Sequence, residues 1–295
     1  MIRALKYLFL PGGTFPLWKR IIGLRSRLIL DRRVRHHWKY IQHHKKIDEL
    51  VKKSVWGVSY SVFDGEELLE DSLKSIRDSV DYIKVVYQRH SWYGNPASPQ
   101  LLPLLKRLQK RGLIDELIEY IPDYKMRAGK QEVLKRNIGL RYAKRHGVDY
   151  FMCMDTDEFY IERNICNAKR YIIKYAIARS FCPIVAYVSP THRLLKPCAN
   201  YVQFFSRIGI GAKLKHNKHN VALVDPTRQL NHVPFAKYFV LGGLEMHHMT
   251  GFRKDINKKI KNSSGNLNHV DASKYVNNML ENSITVPDMF DIKGK

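Results

Sequence analysis

Asp149-Tyr150-Phe151-Met152-Cys153-Met154-Asp155-Thr156-Asp157-Glu158-Phe159 decides how the chain is read. Asp149 to Met154 is too apolar for a surface loop and reads as a short buried strand. Three carboxylates, Asp155, Asp157 and Glu158, follow it at once. Carboxylates leaving the carboxyl end of a buried strand stand where α/β sheets bind their ligands. Like charges this close resist joint ionisation unless a cation or a hydrogen-bond network compensates. Such oxygen donors favour Mg²⁺ or Mn²⁺, ions that also hold substrate phosphates. The plainer alternative is a helix cap, with Asp as N-cap and Glu158 in support.

Towards the N-terminus, strands and helices alternate. Val55 to Val62 is β-rich, and Glu66 to Ser79 carries Leu68, Leu69, Leu73 and Ile76 at helical spacing behind early acids. Tyr82 to Tyr87 is a second strand. His90 to Pro99 is a loop, Leu101 to Arg111 a helix closed by Gly112, and Ile114 to Ile121 includes a short strand. Gln131 to His146 is a strong helix, with Leu134, Ile138 and Tyr142 on one face. This order predicts an α/β fold with a mixed, mostly parallel sheet flanked by helices.

Beyond Tyr160, Ile184 to Val188 and Tyr201 to Phe205 read as strands and Gly209 to Asn220 as a basic loop. Phe252, Ile256 and Ile260 recur every four residues on a late helix whose other faces carry Arg253, Lys254, Lys258 and Lys259. The last thirty or so residues, rich in Asn and Ser, read as a loosely held tail. Three segments result: a basic amphipathic stretch over 1–53, a main domain over 54–262 and a tail over 263–295.

The 295 residues carry 51 Lys and Arg against 27 Asp and Glu, a formal charge of +24, which calls for an anionic partner. Residues 1–53 hold 14 Lys and Arg against Asp31, Asp48 and Glu49, interleaved with Trp18, Ile21, Ile22, Leu24, Leu28 and Ile29. That pattern suits an anionic membrane surface. A helix packed on the protein's own core with a solvated charged face is the alternative. Hydrophobic content of 44% excludes general disorder, and no stretch reaches the ~20 apolar residues of a membrane span. Cys153, Cys166, Cys182 and Cys198 form no C-x-x-C pair, which argues against a zinc ribbon and for free thiols in a cytoplasmic setting.

Several stretches resemble family-2-type glycosyltransferases of the GT-A fold. Val58 to Leu73 is similar to that family's first strand, its N-E-E-like turn and the helix behind. Lys135-Arg136-Asn137 and the run from Tyr150 resemble the family's approach to its D-x-D motif. Asp155-Thr156-Asp157-Glu158-Phe159 is closest to the D-x-D-E-F form of bacterial surface-polysaccharide and lipopolysaccharide transferases. Asp225-Pro-Thr-Arg228 and Met246 to Arg253 are similar to later elements of those proteins. The resemblance spans roughly residues 55–262.

By position, the resemblance implies that Asp155, Asp157 and His248 ligate Mn²⁺ or Mg²⁺. It implies that Ser59, Phe63, Asp64, Glu66, Arg136 and Asp155 contact a nucleotide-sugar donor. Arg253 and Lys258, near the His247-His248 pair, would neutralise the pyrophosphate. Glu245 and Glu158 are the candidates for the base that deprotonates an acceptor in an inverting transfer. The second strand ends in Gln88-Arg-His90 without the family's usual Asp, so Gln88 or His90 would meet the base. The implied partners are a nucleotide-sugar, a glycan or glycolipid acceptor of lipopolysaccharide or capsule type, and an anionic membrane at the inner face of the cytoplasmic membrane.

Competing classes are a metal-dependent nucleotidyltransferase, for which Pro11-Gly12-Gly13-Thr14 is a poor phosphate loop, a nucleic-acid binder and an inactive transferase scaffold. No helix-turn-helix, paired zinc ligands or RNA-recognition strand motif is present in the sequence, so nucleic acid is not the expected partner.

Overall fold

The structure, a computed structural model, describes residues 45–195, 201–215, 225, 227–231, 238–241, 243–249, 251–264 and 271–289. Most of the basic N-terminal stretch lies outside the described residues. Its last part is helix α1 (Lys45–Lys53), tied to helix α5 (Glu162–Lys174) by Arg170 Nε donating 2.6 Å to Asp48 Oδ1.

The expected mixed α/β sheet flanked by helices is present. Strands β1 (Trp56–Val62), β2 (Tyr82–Tyr87), β3 (Glu116–Glu119) and β4 (Tyr150–Met154) pair in parallel in the order β3-β2-β1-β4. Ser59 lies between Lys84 on β2 and Cys153 on β4. β1, β2 and β4 are buried on nearly every residue, as strands covered on both faces must be. Helices α2 (Glu66–Ile76), α3 (Leu101–Lys110) and α4 (Ala128–Arg145) connect them. A shared core of Val58, Tyr60, Leu69, Leu73, Val85, Leu105 and Met152 joins sheet to helices.

From β4 outward the pairing turns antiparallel. β8 (Tyr201–Arg207) pairs with β4 and with β6 (Arg179–Ser189), and β6 continues to β7 (His192–Leu194). β5 (Glu158–Phe159) starts directly after the aspartate pair and runs antiparallel to β12 (Met246–His248), which lies parallel to β6. β9 (Lys213–Lys215), within the segment expected to be a basic loop, pairs with β10 (Gln229–Asn231) in a separate ribbon, and β11 (Tyr238–Val240) joins β6.

Three local readings are corrected. The covered face of α4 is not Leu134-Ile138-Tyr142. Leu134 is 40% exposed, while Gln131, Lys135, Arg136 and Gly139 are buried, because α4 turns a polar face towards the carboxyl ends of the strands. The late helix α6 runs Ile256–Asn262 behind the N-cap Asp255, so Phe252 and Arg253 precede it, and Arg253 points inward. Of the C-terminal stretch, residues 271–289 are built in: α7 (Ala272–Glu281) leads to β13 (Ser283–Thr285), which pairs with β7, and Met289 is buried.

Two glycines permit close approaches. Gly139 of α4 lies so near β1 that a Cβ there would fall 1.9 Å from Ser59 Oγ. Gly65, between β1 and α2, has φ +76, and a Cβ would collide with Arg253 Nη1 at 1.6 Å.

Candidate functional site

The carboxyl ends of β1 and β4 open onto one cleft of about 340 Å³, lined by Phe63, Asp64, Asp155, Thr156, Asp157, Arg228 and His248 among others. Thr156 Oγ1 donates 3.1 Å to the Asp64 carbonyl and links the two strand ends. The β5–β12 pairing places His248 opposite Glu158, so its ring reaches Asp157, with Nε2 3.3 Å from Oδ2. Strand alternation turns its neighbour the other way. His247 is buried, with Nδ1 3.1 Å from the Tyr187 hydroxyl, and burial with nearby Arg193 pushes its pKa down to about 4.

Asp157 is 2% exposed and collects positive charge. Arg253 Nη2 lies 3.0 Å from Oδ2, and Lys259 Nζ donates to the same oxygen at 2.8 Å. Burial alone would raise its pKa, but Arg253, Lys259 and His248 outweigh burial and hold the carboxyl well below the usual range. Asp155 takes a second set: Arg136 Nη2 stands 3.2 Å from both of its oxygens, and Arg228 Nη2 donates to Oδ2. There too Arg136 and Arg228 overcome burial, and the pKa falls. Asp64, with burial only partly offset by Arg253, keeps a raised pKa.

Glu158 is enclosed. Arg228 Nη1 lies 2.6 Å from Oε1 and 2.8 Å from Oε2, the Asp155 amide donates to Oε2, and the side chain does not reach the cleft. One guanidinium nitrogen on both oxygens, together with a backbone amide, holds the carboxylate in place. Glu245 is half-buried just before β12 and also stands outside the cleft lining. Ser59 is buried against Gly139 and is a packing residue. Arg136 is buried behind Asp155. Glu66 and Lys258 line a second cavity of about 660 Å³, and Asp64, Arg253 and Lys259 form the wall it shares with the cleft.

Neither residue expected to replace the missing Asp reaches the cleft. Gln88 is fully buried, its Nε2 donating to His90 O and its Oε1 accepting from Lys135, and His90 lines a separate cavity. Lys259, Glu132, Lys135 and Trp92 are among the cleft residues that carried no role in the sequence reading. The loop with Trp92 is fastened to the end of α6, Asn95 Nδ2 donating to Asn262 Oδ1 and the Tyr93 hydroxyl to Ser263 O.

For a divalent ion, Asp157 and His248 are the adjacent donors. Their 3.3 Å separation and oxygen-plus-imidazole chemistry fit two positions of a Mn²⁺ or Mg²⁺ shell completed by phosphate and water. Among the described residues no three His, Cys, Asp or Glu side chains gather as a closed metal cage. Lys259 and Arg253 already supply part of the neutralising charge.

No family model and no curated protein matches the chain. Solved structures with some likeness include S. aureus TarS 1–349 in complex with UDP, with a TM-score of 0.35 and 12% identity over 45% of this chain and 36% of that one. The complex of the same protein with UDP-GlcNAc gives the same TM-score and identity, with 35% of that chain covered. A mycobacterial protein gives a TM-score of 0.31 at 9% identity, over 48% of this chain and 43% of that one. The chain thus spans 35–43% of the length of each. At such values the fold stands on its own strand order and registers.

Proposed function

We propose that this protein is a glycosyltransferase that moves a sugar from a nucleoside-diphosphate donor to a glycan or glycolipid acceptor. The observation that carries the reading is the convergence of Asp64, Asp155 and Asp157 with Arg253, Lys259 and His248 in one cleft above parallel strands. A nucleoside diphosphate needs such a set, with cations for the phosphates and fixed carboxylates beside the ribose. A nucleic-acid groove would expose its cations, whereas Arg253 and Arg228 are each 6% exposed and paired with carboxylates inside the cleft.

In this reading Asp157 and His248 hold Mn²⁺ or Mg²⁺, which would supply Lewis-acid stabilisation of the leaving diphosphate. Asp155, fixed by Arg136 and Arg228, faces the ribose. Arg253 and Lys259 attract the diphosphate and stabilise charge as it departs. Of the two expected bases, Glu158 is occupied by Arg228 and Glu245 stands outside the cleft lining, so the acceptor proton is assigned to neither. An acceptor of lipopolysaccharide or capsule type, reached at the inner face of the cytoplasmic membrane through residues 1–53, agrees with the +24 charge. No helix among the described residues is long and apolar enough to cross a membrane.

The test is release of nucleoside diphosphate from a panel of nucleotide-sugars, with Mn²⁺ and anionic membranes carrying acceptor. Asp157-dependent release supports the reading. A fully folded protein that turns over none of them contradicts it.

A further inference from the structure

The loop between β3 and α4 turns large apolar side chains into water. Ile121 is 81% exposed and Tyr124 59%, while Pro122 between them is buried. Buried Gln131 of α4 pins this loop: its Oε1 accepts from Asp123 N at 2.7 Å and its Nε2 donates 2.8 Å to Met126 O. Met126 N closes a turn onto Asp123 O at 2.8 Å. With its backbone tied to the helix, the loop holds both side chains outward. The neighbouring loop adds Tyr93, 46% exposed, and a Cβ on Gly94 would lie 3.9 Å from Tyr124 Cε1. Single exposed apolar residues are ordinary, but three large ones on two adjoining loops form a patch.

Cations accompany it. Lys125, Arg127 and Lys130 are all exposed, against the single acid Asp123 between 121 and 130. Asp123 Oδ1 accepts from the Lys125 amide at 3.0 Å. Among the described residues none of the three cations is ion-paired. The patch also borders the cleft. Trp92, next to Tyr93, lines the cleft and meets Tyr120 edge-on at 5.9 Å, and the Tyr93 hydroxyl donates 3.1 Å to the carbonyl of Ser263, another lining residue.

We propose that the 121–130 surface docks on an anionic lipid bilayer. Ile121 and Tyr124 enter the boundary between headgroups and chains, and Lys125, Arg127 and Lys130 meet the anionic headgroups. A nucleic acid would use the cations and leave Ile121 in water. A second copy of this chain, packed face to face, would set these cations against their like. The contact lies outside residues 1–53 and turns the cleft mouth towards the membrane, where a glycolipid acceptor would be held. The inference rests on the proposed transferase reading for that acceptor alone.

The test is co-sedimentation of the full chain with vesicles of phosphatidylcholine, alone or mixed with phosphatidylglycerol, followed by hydrogen exchange on the bound protein. Wild type should bind the mixed vesicles more tightly, with slowed exchange in 121–130. Ile121→Ser with Tyr124→Ser should weaken partitioning by ~10-fold or more, the scale of withdrawing two apolar side chains from an interface. Both residues are exposed, so Tm should hold. Lys125→Gln with Lys130→Gln, a second variant, should weaken partitioning by ~10-fold at low salt and by less at high salt. Equal binding to neutral vesicles, no binding, or unslowed exchange in 121–130 overturns the proposal. Slowed exchange without vesicles, with self-association lost in Ile121→Ser/Tyr124→Ser, assigns the face to a second copy and also overturns it. Nucleoside diphosphate binding should be unchanged in both variants. Its absence from wild type contradicts the transferase reading and leaves the vesicle result standing.

Discussion

Lys259 Nζ stands 2.8 Å from Asp157 Oδ2 although 102 residues separate them. The contact joins the short helix α6 to the acidic turn behind β4 and places an ammonium where donor phosphate would arrive. Lys259→Met should weaken nucleoside diphosphate binding by ~10-fold or more, the scale of one charged contact in a desolvated site. Nucleosides without phosphate should show no change. Calorimetry with the matched pair checks both statements.

Arg228 neutralises Asp155 and Glu158 together, with Asp225 Oδ2 2.8 Å from its Nε. Removing one partner from a buried ionic group leaves uncompensated charge, so Arg228→Met should cost about 3–5 kcal/mol of stability. Arg228→Lys keeps the charge but loses the fork and should fall between the two. Chemical denaturation of the three proteins measures the order.

Gly139 is required by its distance to Ser59. Gly139→Ala should destabilise by about 1–3 kcal/mol through overpacking, and Ser59→Gly in the same chain should recover most of the loss. A double-mutant cycle in urea tests the coupling. Ser59→Gly alone should leave donor binding unchanged, since Ser59 is covered.

Lys169 gives a pH dependence free of the site. Burial against Trp56, 4.7 Å from Nζ, pushes its pKa down to about 8. The folded value lies below the ordinary ~10.4 of the unfolded chain, so unfolding takes up a proton between those values. The cost of burying the charge is therefore full below pH 8 and disappears as pH rises towards ~10.4. Relative to Lys169→Met, wild type should gain up to ~3 kcal/mol over that interval, and Tm measured against pH for both proteins shows the difference.

The parallel half of the sheet was legible because β1, β2 and β4 are short apolar runs bounded by turn residues and separated by amphipathic α2. The aspartates were legible because they follow such a run directly. α4 was misread because its inner face is built of Gln131, Lys135 and Arg136, which a pattern of apolar residues cannot reveal. Lys259, Glu132 and Trp92 escaped notice for another reason. Lys259 and Trp92 meet Asp157 and Tyr120 only through tertiary packing, and Glu132, an i,i+4 neighbour of Arg136 on α4, comes to line the cleft only in the folded chain. His248 was singled out, but its difference from His247 depends on the β5–β12 register.

The most direct measurement of the central claim is calorimetric binding of nucleoside diphosphates to wild type and Asp157→Ala, each with Mn²⁺ and after chelation. The account predicts binding of at least one diphosphate to wild type with Mn²⁺, weakened by ~10-fold or more on chelation and lost in Asp157→Ala. Folded wild type that binds none of the diphosphates, or binds them equally well with Asp157 removed, would contradict it.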